Sequence, residues 1–393
     1  MIRLFINGLA ASAGAGLTYL RNVIPQLARR TDAQSTVLLS AELRGEFAEF
    51  PNISFAEASP RHGVAGRVVF EQTKLRGLLR RSGAQVLLST GNFALWNSPV
   101  PQILLSGNSL YLSDNFYRDV RKRRDYSLAI DTRIKGWFAR RSVHWADVTV
   151  APSKAFAEAL GKWTGKSALS IHHGFDRDLF ASDLTSLPVS IQNQLQESAD
   201  AVKLLFVSHY NYYRNFETLI RALPILRDRL PGKKIRLLLT CHFSSSKNPG
   251  SYRAEPAASL VSTLGVGDNV VELGSAPYRL LHHLYRAADV YVTPAYTETF
   301  AHPLVEAMSS GLPVVASDLP VHREICRDAA IYFPCFSPDA LAERVLQIHQ
   351  SGELAETLSR NGLHRAKDFR WDTHVDRLLA LAHELVSANS KRT

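Results

Sequence analysis

Glu298 and Glu306 stand eight positions apart in "ETFAHPLVEAMSSGLPVVAS", with Pro303 between them and Gly311 beyond. Two carboxylates so spaced can work as an acid/base couple. Alternatively each can hold hydroxyl groups, because a carboxylate accepts pairs of hydrogen bonds from vicinal hydroxyls. The neighbouring elements bear on the choice. "ADVYVTP" reads as a buried strand ending at Pro294, and Pro303 suits a first helical position, where its fixed φ helps and its missing N–H is not needed. Gly311 predicts the helix stop and "LPVVAS" the returning strand. The loop 295–302 then lies at the carboxyl end of a parallel strand, the edge where open α/β sheets bind ligands. First-turn N–H groups and the positive dipole end make that edge an anion seat. On the plainest reading Glu306 is a first-turn acid that offsets the dipole and Glu298 a solvated loop charge. Together, flanking an anion seat, they describe a phosphate between two polyols, as in a nucleotide sugar.

Apolar runs alternate with helical-period segments along the chain, the pattern of parallel α/β sheets. "IRLFING", "STVLLS", "AQVLLST", "PQILLSG" and "ADVTVAPS" are strands of a first half; "VKLLFVSHY", "KIRLLLTC", "NVVELGS", "ADVYVTP", "LPVVAS" and "AAIYFP" are strands of a second. Between them, 176–201 turns polar and loses its period, which predicts a linker. A chain of 393 residues exceeds what one core usually serves, so two doubly wound domains of similar size are expected. Three cysteines without CxxC spacing offer no metal cage or disulfide framework, and suit a reducing compartment. The N-terminus lacks the apolar stretch of a signal peptide, and no window is long and apolar enough to span a bilayer. A cytoplasmic protein is expected, with any membrane contact peripheral.

The net charge of +10 attracts anions without choosing among them. Of it, +6 lies in "RDVRKRRDYSLAIDTRIKGWFARR", from Arg118 to Arg141. A solvated helix face is the plain reading. Basic residues Arg121, Lys122, Arg123 and Arg124 followed by Ile134, Trp137 and Phe138 also fit an interfacial helix on an anionic membrane, or a site for a lipid-diphosphate acceptor. No nucleic-acid module accompanies the charge, so nucleic acid is not an expected partner. "LAASAGAGLTYL" places Gly14, Ala15 and Gly16 between a strand and a helix, but neither a P-loop nor a complete G-x-G-x-x-G follows. The D-x-D at Asp176–Asp178 has metal-diphosphate spacing, and the scattered histidines form no ligand set.

The segment from Glu298 resembles the E-x7-E signature of the retaining glycosyltransferases of family 4, enzymes of the GT-B fold. "HHLYRAADVYVTPAYTETFAHPLVEAMSSGLPVVASDLPVHREI", "APSKAFAEAL", "IHHGFDRDLF" and "LFVSHYNYYRNFETLIRAL" are similar to that family along most of the chain. The resemblance implies two Rossmann-like doubly wound parallel-sheet domains facing across a cleft. The first spans 1–180 on the acceptor side, 181–200 is the linker, and 201–369 binds the nucleotide sugar. The helix of about 370–393 packs back on the first domain. It implies further that Glu298 lies against the donor sugar and Glu306 binds ribose hydroxyls. Phe300, Ala301, His302, Pro303 and Leu304 would face sugar and diphosphate through their backbone. Arg214, where the family usually has lysine, would neutralise the leaving diphosphate. His209 replaces an arginine of the family pattern. Asn108 falls near the position of a family histidine; it can hydrogen-bond a sugar hydroxyl but cannot act as a base. Gly14, Ala15 and Gly16 become the glycine loop facing the donor phosphate or acceptor. The family needs no metal or other cofactor, so DRD reads as part of an interdomain motif.

The implied activity is metal-independent, retaining transfer of a sugar from a nucleotide-diphosphate sugar to a hydroxyl of a glycan, lipid-linked or small-molecule acceptor, in cell-envelope polysaccharide or glycoconjugate synthesis. A nucleotide-sugar epimerase on the same fold and a non-catalytic sugar-nucleotide-binding protein are the alternatives.

Overall fold

The computed structural model describes residues 1–11, 14–60, 63–247 and 252–390, apart from the side chains of residues 14, 15 and 179. Contacts group it into two units. One holds Met1–Leu112, Ile130–Gly174 and Arg370–Thr393; the other holds Ser113–Ala129 and Phe175–Phe369.

The first unit is built on seven strands: β1 (Ile2–Asn7), β2 (Ala33–Leu39), β3 (Ile53–Glu57), β4 (Val86–Ser89), β5 (Gln102–Leu105), β6 (Val148–Ala151) and β7 (Leu169–Ser170). Their order is β3-β2-β1-β4-β5-β6-β7, every pairing parallel. The second is built on β8 (Ala201–Phe206), β9 (Lys234–Leu239), β10 (Val270–Glu272), β11 (Val290–Thr293), β12 (Val314–Ser317) and β13 (Ala330–Phe333). It runs β10-β9-β8-β11-β12-β13, again all parallel. Helices cover both faces of such sheets, so central strands read as unbroken apolar runs, as in the fully buried Val290–Thr293 and Val314–Ser317. In each sheet the strand order reverses beside its first strand, between β1 and β4 and between β8 and β11. These are the switch points where doubly wound sheets leave a crevice for ligands. Two Rossmann-like doubly wound domains are thus present.

The helices that matter for the site are α1 (Gly14–Ala28), α2 (Asp114–Lys122), α3 (Tyr126–Trp145), α4 (Phe216–Arg229), α5 (Leu281–Ala287), α6 (His302–Ser309), α7 (Pro320–Cys326) and α8 (Trp371–Ser390). The α8 stripe of Trp371, Val375, Leu378, Leu379 and Ala382 enters the core of the first unit beside Ile2, Leu4 and Ile6 of β1. The Tyr19 hydroxyl meets His374 at 3.0 Å, and the His173 ring stacks on Trp371 with centroids 5.6 Å apart. His173 is therefore packing. Gly174 is required here for space: a Cβ on it would lie 2.1 Å from the Trp371 nitrogen.

Strands β3 and β7 were not expected. The first lies in a stretch of weak alternation, and the second is only two residues long. The polar segment after Asp176 is grouped with the second unit. It is anchored by Phe180, Leu187 and Ile191, three buried apolar side chains spaced too irregularly to show a period. Ser113–Ala129 lies inside the expected first domain yet groups with the second unit, through polar contacts described below. Among the described residues no helix is long and apolar enough to cross a membrane.

The basic stretch is two helices, broken at Arg124 in the left-handed region (φ +53°). Arg121, Lys122 and Arg124 are exposed. Arg123 corrects the membrane-facing reading: it is largely buried and paired with Asp119 at 2.9 Å and Glu217 at 2.8 Å. Trp137 is exposed on α3, with Ile130, Ile134 and Phe138.

Candidate active site

Three loops of the second unit leave the carboxyl ends of β8, β11 and β12. The first carries His209 and Arg214, and the second carries Glu298. The third leads into α7, which carries His322. Short polar side chains lace them together. Asn215, the left-handed cap of α4, donates to the Pro294 carbonyl at 3.0 Å. The Tyr296 amide donates to the Tyr213 carbonyl at 3.0 Å, and the Ser317 hydroxyl donates to the Ala295 carbonyl. Helix α6 opens from Ala301, a non-glycine residue at φ +66° and ψ +65°. Such a conformation costs about 1–2 kcal/mol and persists where surrounding packing imposes it. Pro303 sits in the first turn, and Gly311, at φ +72°, ends the helix with its amide on the Met308 carbonyl at 3.1 Å.

Arg214 and Glu298 form an ion pair, with side chains 19% and 10% exposed. The Thr299 amide also donates to Glu298, at 3.1 Å. Burial works against the Glu298 carboxylate, but Arg214, with the Thr299 amide, holds its pKa below the usual range. A carboxylate so held is a poor proton acceptor. Arg214 stays charged, since Glu298 outweighs the effect of burial. Its Nε is buried with no hydrogen-bond partner among the described residues. His322 is fully buried, and its Nδ1 lies 2.9 Å from the Ser317 carbonyl. Burial lowers its pKa, so the imidazole is neutral; the proton belongs on Nδ1, leaving Nε2 as a bare acceptor. That Nε2 also has no partner among the described residues. Other buried polar atoms share this state, among them the Arg67 and Arg236 Nε, so it is the place of these two at the carboxyl ends of β8 and β12, beside a buried ion pair, that makes them candidates for a polar ligand.

Glu306 departs from its expected place. Helix α6 starts at His302, so Glu306 lies past the first turn and cannot be a dipole-compensating acid there. It is 4% exposed, and the Tyr285 hydroxyl of α5 donates to it at 2.7 Å. Burial pushes its pKa up to about 7, against the hydrogen bond from Tyr285. Raised above the unfolded value of 4.5, this carboxyl favours the folded state most fully below pH 4.5 and loses that contribution as pH rises through 7. Hydroxyl donors need the ionised form, so affinity for a ribose-bearing ligand is expected to strengthen through pH 6–8. In Glu306→Gln that dependence should vanish; calorimetric affinities across the range measure it.

The remaining expected residues fall as follows. Phe300, Ala301 and Leu304 are buried; His302 and Pro303 are half-buried. Burial lowers the His302 pKa to about 4 despite the Glu298 charge. Burial and the Arg214 charge lower that of His209, so it does not stand in for an arginine as a cation. Tyr210 and Tyr212 are fully buried and pack instead of offering stacking faces. Gly14 and Ala15 begin α1, with Gly16 in its first turn; a Cβ on Gly16 would lie 3.1 Å from the Ala11 Cα. Asn108 follows β5, its Oδ1 accepting from the Leu110 amide at 3.0 Å. These four belong to the first unit, and Arg214, Glu298 and Glu306 to the second. Buried Tyr291 of β11 feels the charges of all three. Sequence reasoning did not single out Tyr285, Tyr291 or His322. Tyr285 and His322 lie within short helices and Tyr291 within a buried strand, and nothing in their local sequence marks them as site residues.

Residues 190–365 match the family described as glycosyl transferases group 1. A D-inositol 3-phosphate glycosyltransferase of Thermomonospora curvata is 29% identical over 182 residues, 46% of this chain and 42% of that one. The O-antigen chain mannosyltransferase B of Escherichia coli is 37% identical over 100 residues, 25% of this chain and 26% of that one. The matched stretch spans less than half the length of these relatives. The structure of sucrose-phosphate synthase from Thermosynechococcus elongatus superposes with a TM-score of 0.75 at 18% identity, over 99% of this chain and 100% of that one. The chain thus has the GT-B fold, and its second domain matches the glycosyl transferases group 1 family.

Proposed function

We propose that this chain is a retaining, metal-independent glycosyltransferase that takes its sugar from a nucleotide-diphosphate sugar. The observation that carries the reading is the Arg214–Glu298 pair, which sits at a sheet switch point with the Arg214 Nε and the His322 Nε2 unmet. A diphosphate satisfies the first and a sugar hydroxyl the second. Arg214 offsets the charge that grows on the diphosphate as the C1–O bond breaks. The acceptor hydroxyl oxygen bonds to C1 on the same face, and its proton passes to the departing phosphate oxygen. Glu298, ionised and paired, orients the sugar and stabilises positive charge at C1. Glu306 holds the ribose.

Phe300 to Leu304 line the donor, Gly14, Ala15 and Gly16 approach the donor phosphate, Asn108 hydrogen-bonds a sugar hydroxyl, and the first unit takes the acceptor. The acceptor class is a glycan, lipid-linked or small-molecule hydroxyl of cell-envelope polysaccharide or glycoconjugate synthesis on the cytoplasmic side. Helix α3 supports a peripheral membrane position: Ile130, Ile134 and Trp137 are more than half exposed and Phe138 is 40% exposed. Arg140 and Arg141 are exposed on the same helix, and the Arg141 guanidinium lies 5.3 Å over the Trp137 ring. Apolar side chains flanked by arginines suit the headgroup region of an anionic bilayer.

One preparation tests both statements. Thermal shift against UDP, GDP, ADP and dTDP sugars should identify one stabilising donor, and the labelled sugar of that donor should pass to lipid-extract acceptors with its anomeric configuration kept. The protein should float with vesicles containing phosphatidylglycerol, and Trp137→Ser/Ile134→Ser should abolish flotation. No stabilising donor sinks the transferase reading; equal flotation of the double variant sinks the membrane one.

A further inference from the structure

We infer that α2 braces both loops of the donor site, with Asp119 and Arg123 as positioning residues that set where Glu298 and Arg214 stand. The Ser113–Ala129 segment joins the second unit far from its sequence neighbours, so its contacts there have long-range consequences. Ser113 caps α2 by accepting the Phe116 amide at 3.2 Å, and Phe116 and Val120 bury the apolar side of the helix. That leaves Asp119 and Arg123, one turn apart, on a polar edge.

Asp119 reaches the Glu298 loop. Its Oδ2 accepts from the Tyr296 hydroxyl at 2.9 Å, two residues before Glu298. Arg123 reaches the Arg214 loop. Its Nε is held by Asp119 at 2.9 Å, its Nη2 donates to Glu217 at 2.8 Å, and its guanidinium lies 4.3 Å over the Tyr212 ring. Glu217 accepts from Tyr210 at 3.0 Å, and Tyr212 donates to Asp125 at 3.0 Å. Asp119 and Arg123 therefore bond to each other, Asp119 reaches the Glu298 loop through Tyr296, and Arg123 reaches the Arg214 loop by lying over Tyr212 and, through Glu217, by way of Tyr210. A charged network of this kind is satisfied only in one register, so it selects the loop positions that place Arg214 against Glu298. These side chains serve the basic segment as an internal clamp.

The kinetic part of the test rests on the glycosyl-transfer reading; the exchange part does not. Tyr296→Phe removes one hydroxyl and no core volume, and Asp119→Asn removes the charge. In the full chain, hydrogen–deuterium exchange across 294–301 should rise about ten-fold in either variant, through loss of the hydroxyl donor or of the acceptor's charge, while in Tyr296→Phe 216–229 stays unchanged. kcat/KM for the donor should fall about ten-fold in each, and the double variant should be no worse than either single one. Unchanged exchange at 294–301 overturns the brace, as does a lowered Tm with normal kcat/KM. If Asp119→Asn does not fold, Tyr296→Phe decides alone. If the wild-type chain transfers no sugar but exchange rises as stated, the brace stands and only the transferase reading falls.

Discussion

Glu298→Gln should lower kcat for sugar transfer by about a hundred- to a thousand-fold, the loss found when one preorganised electrostatic contact to a transition state is removed. The same substitution leaves Arg214 buried without its counter-charge. Breaking a buried ion pair from one side destabilises a fold by about 3–5 kcal/mol, because the remaining charge is uncompensated. A nucleoside diphosphate supplies the missing anion, and at a hundred times its Kd it returns about 2.7 kcal/mol. The variant should therefore melt lower than wild type, recover most of that loss with nucleotide, and bind nucleotide at least as tightly while turning over poorly. Differential scanning calorimetry with and without nucleotide, beside steady-state kinetics, measures all three. Near-normal turnover would remove Glu298 from the chemistry.

Arg214→Met has the opposite signature. Its unmet buried Nε and its charge are the groups assigned to the diphosphate. Hydrogen bonds to charged groups contribute about 1.5–3 kcal/mol, and loss of the cation also exposes the diphosphate to Glu298. Nucleotide affinity should fall about a hundred-fold or more, and kcat should fall with it. Burial, no longer opposed, would raise the Glu298 pKa, so the variant gains stability as pH drops. Arg214→Lys keeps the charge but loses the planar fork, and is expected to retain part of the affinity, as the family's usual lysine implies. Isothermal titration with nucleoside diphosphate ranks the three proteins; equal affinities would move the diphosphate elsewhere.

Much of the architecture was legible before any coordinates. All six strands of the second sheet were marked by apolar runs, most fully β11 and β12, which are buried on both faces. Pro303 and Gly311 marked the two ends of α6 because backbone conformation restricts which residues fit there. The Glu298 loop could be placed because it follows a strand of that sheet, whereas Arg214 was singled out only by the family resemblance.

Local sequence could not state what surrounds a side chain. Glu306 reads by its local sequence as a first-turn acid that offsets the helix dipole until α5 brings Tyr285 over it and burial moves its pKa to about 7. His322 is one of three successive polar residues with Arg323 and Glu324, yet the β12 end fixes its tautomer and leaves Nε2 bare. The basic run showed only its charge. Arg123 turned inward because Asp119 and Glu217 wait for it, the latter 94 positions away, whereas Trp137 stayed outside. The chain's order of apolar, turn and helix-end residues determined by itself two doubly wound sheets and the loops at their edges, since those depend on neighbours a few residues apart. Which charges are buried, paired or left unmet depends on residues distant in sequence, and only the tertiary structure decided that.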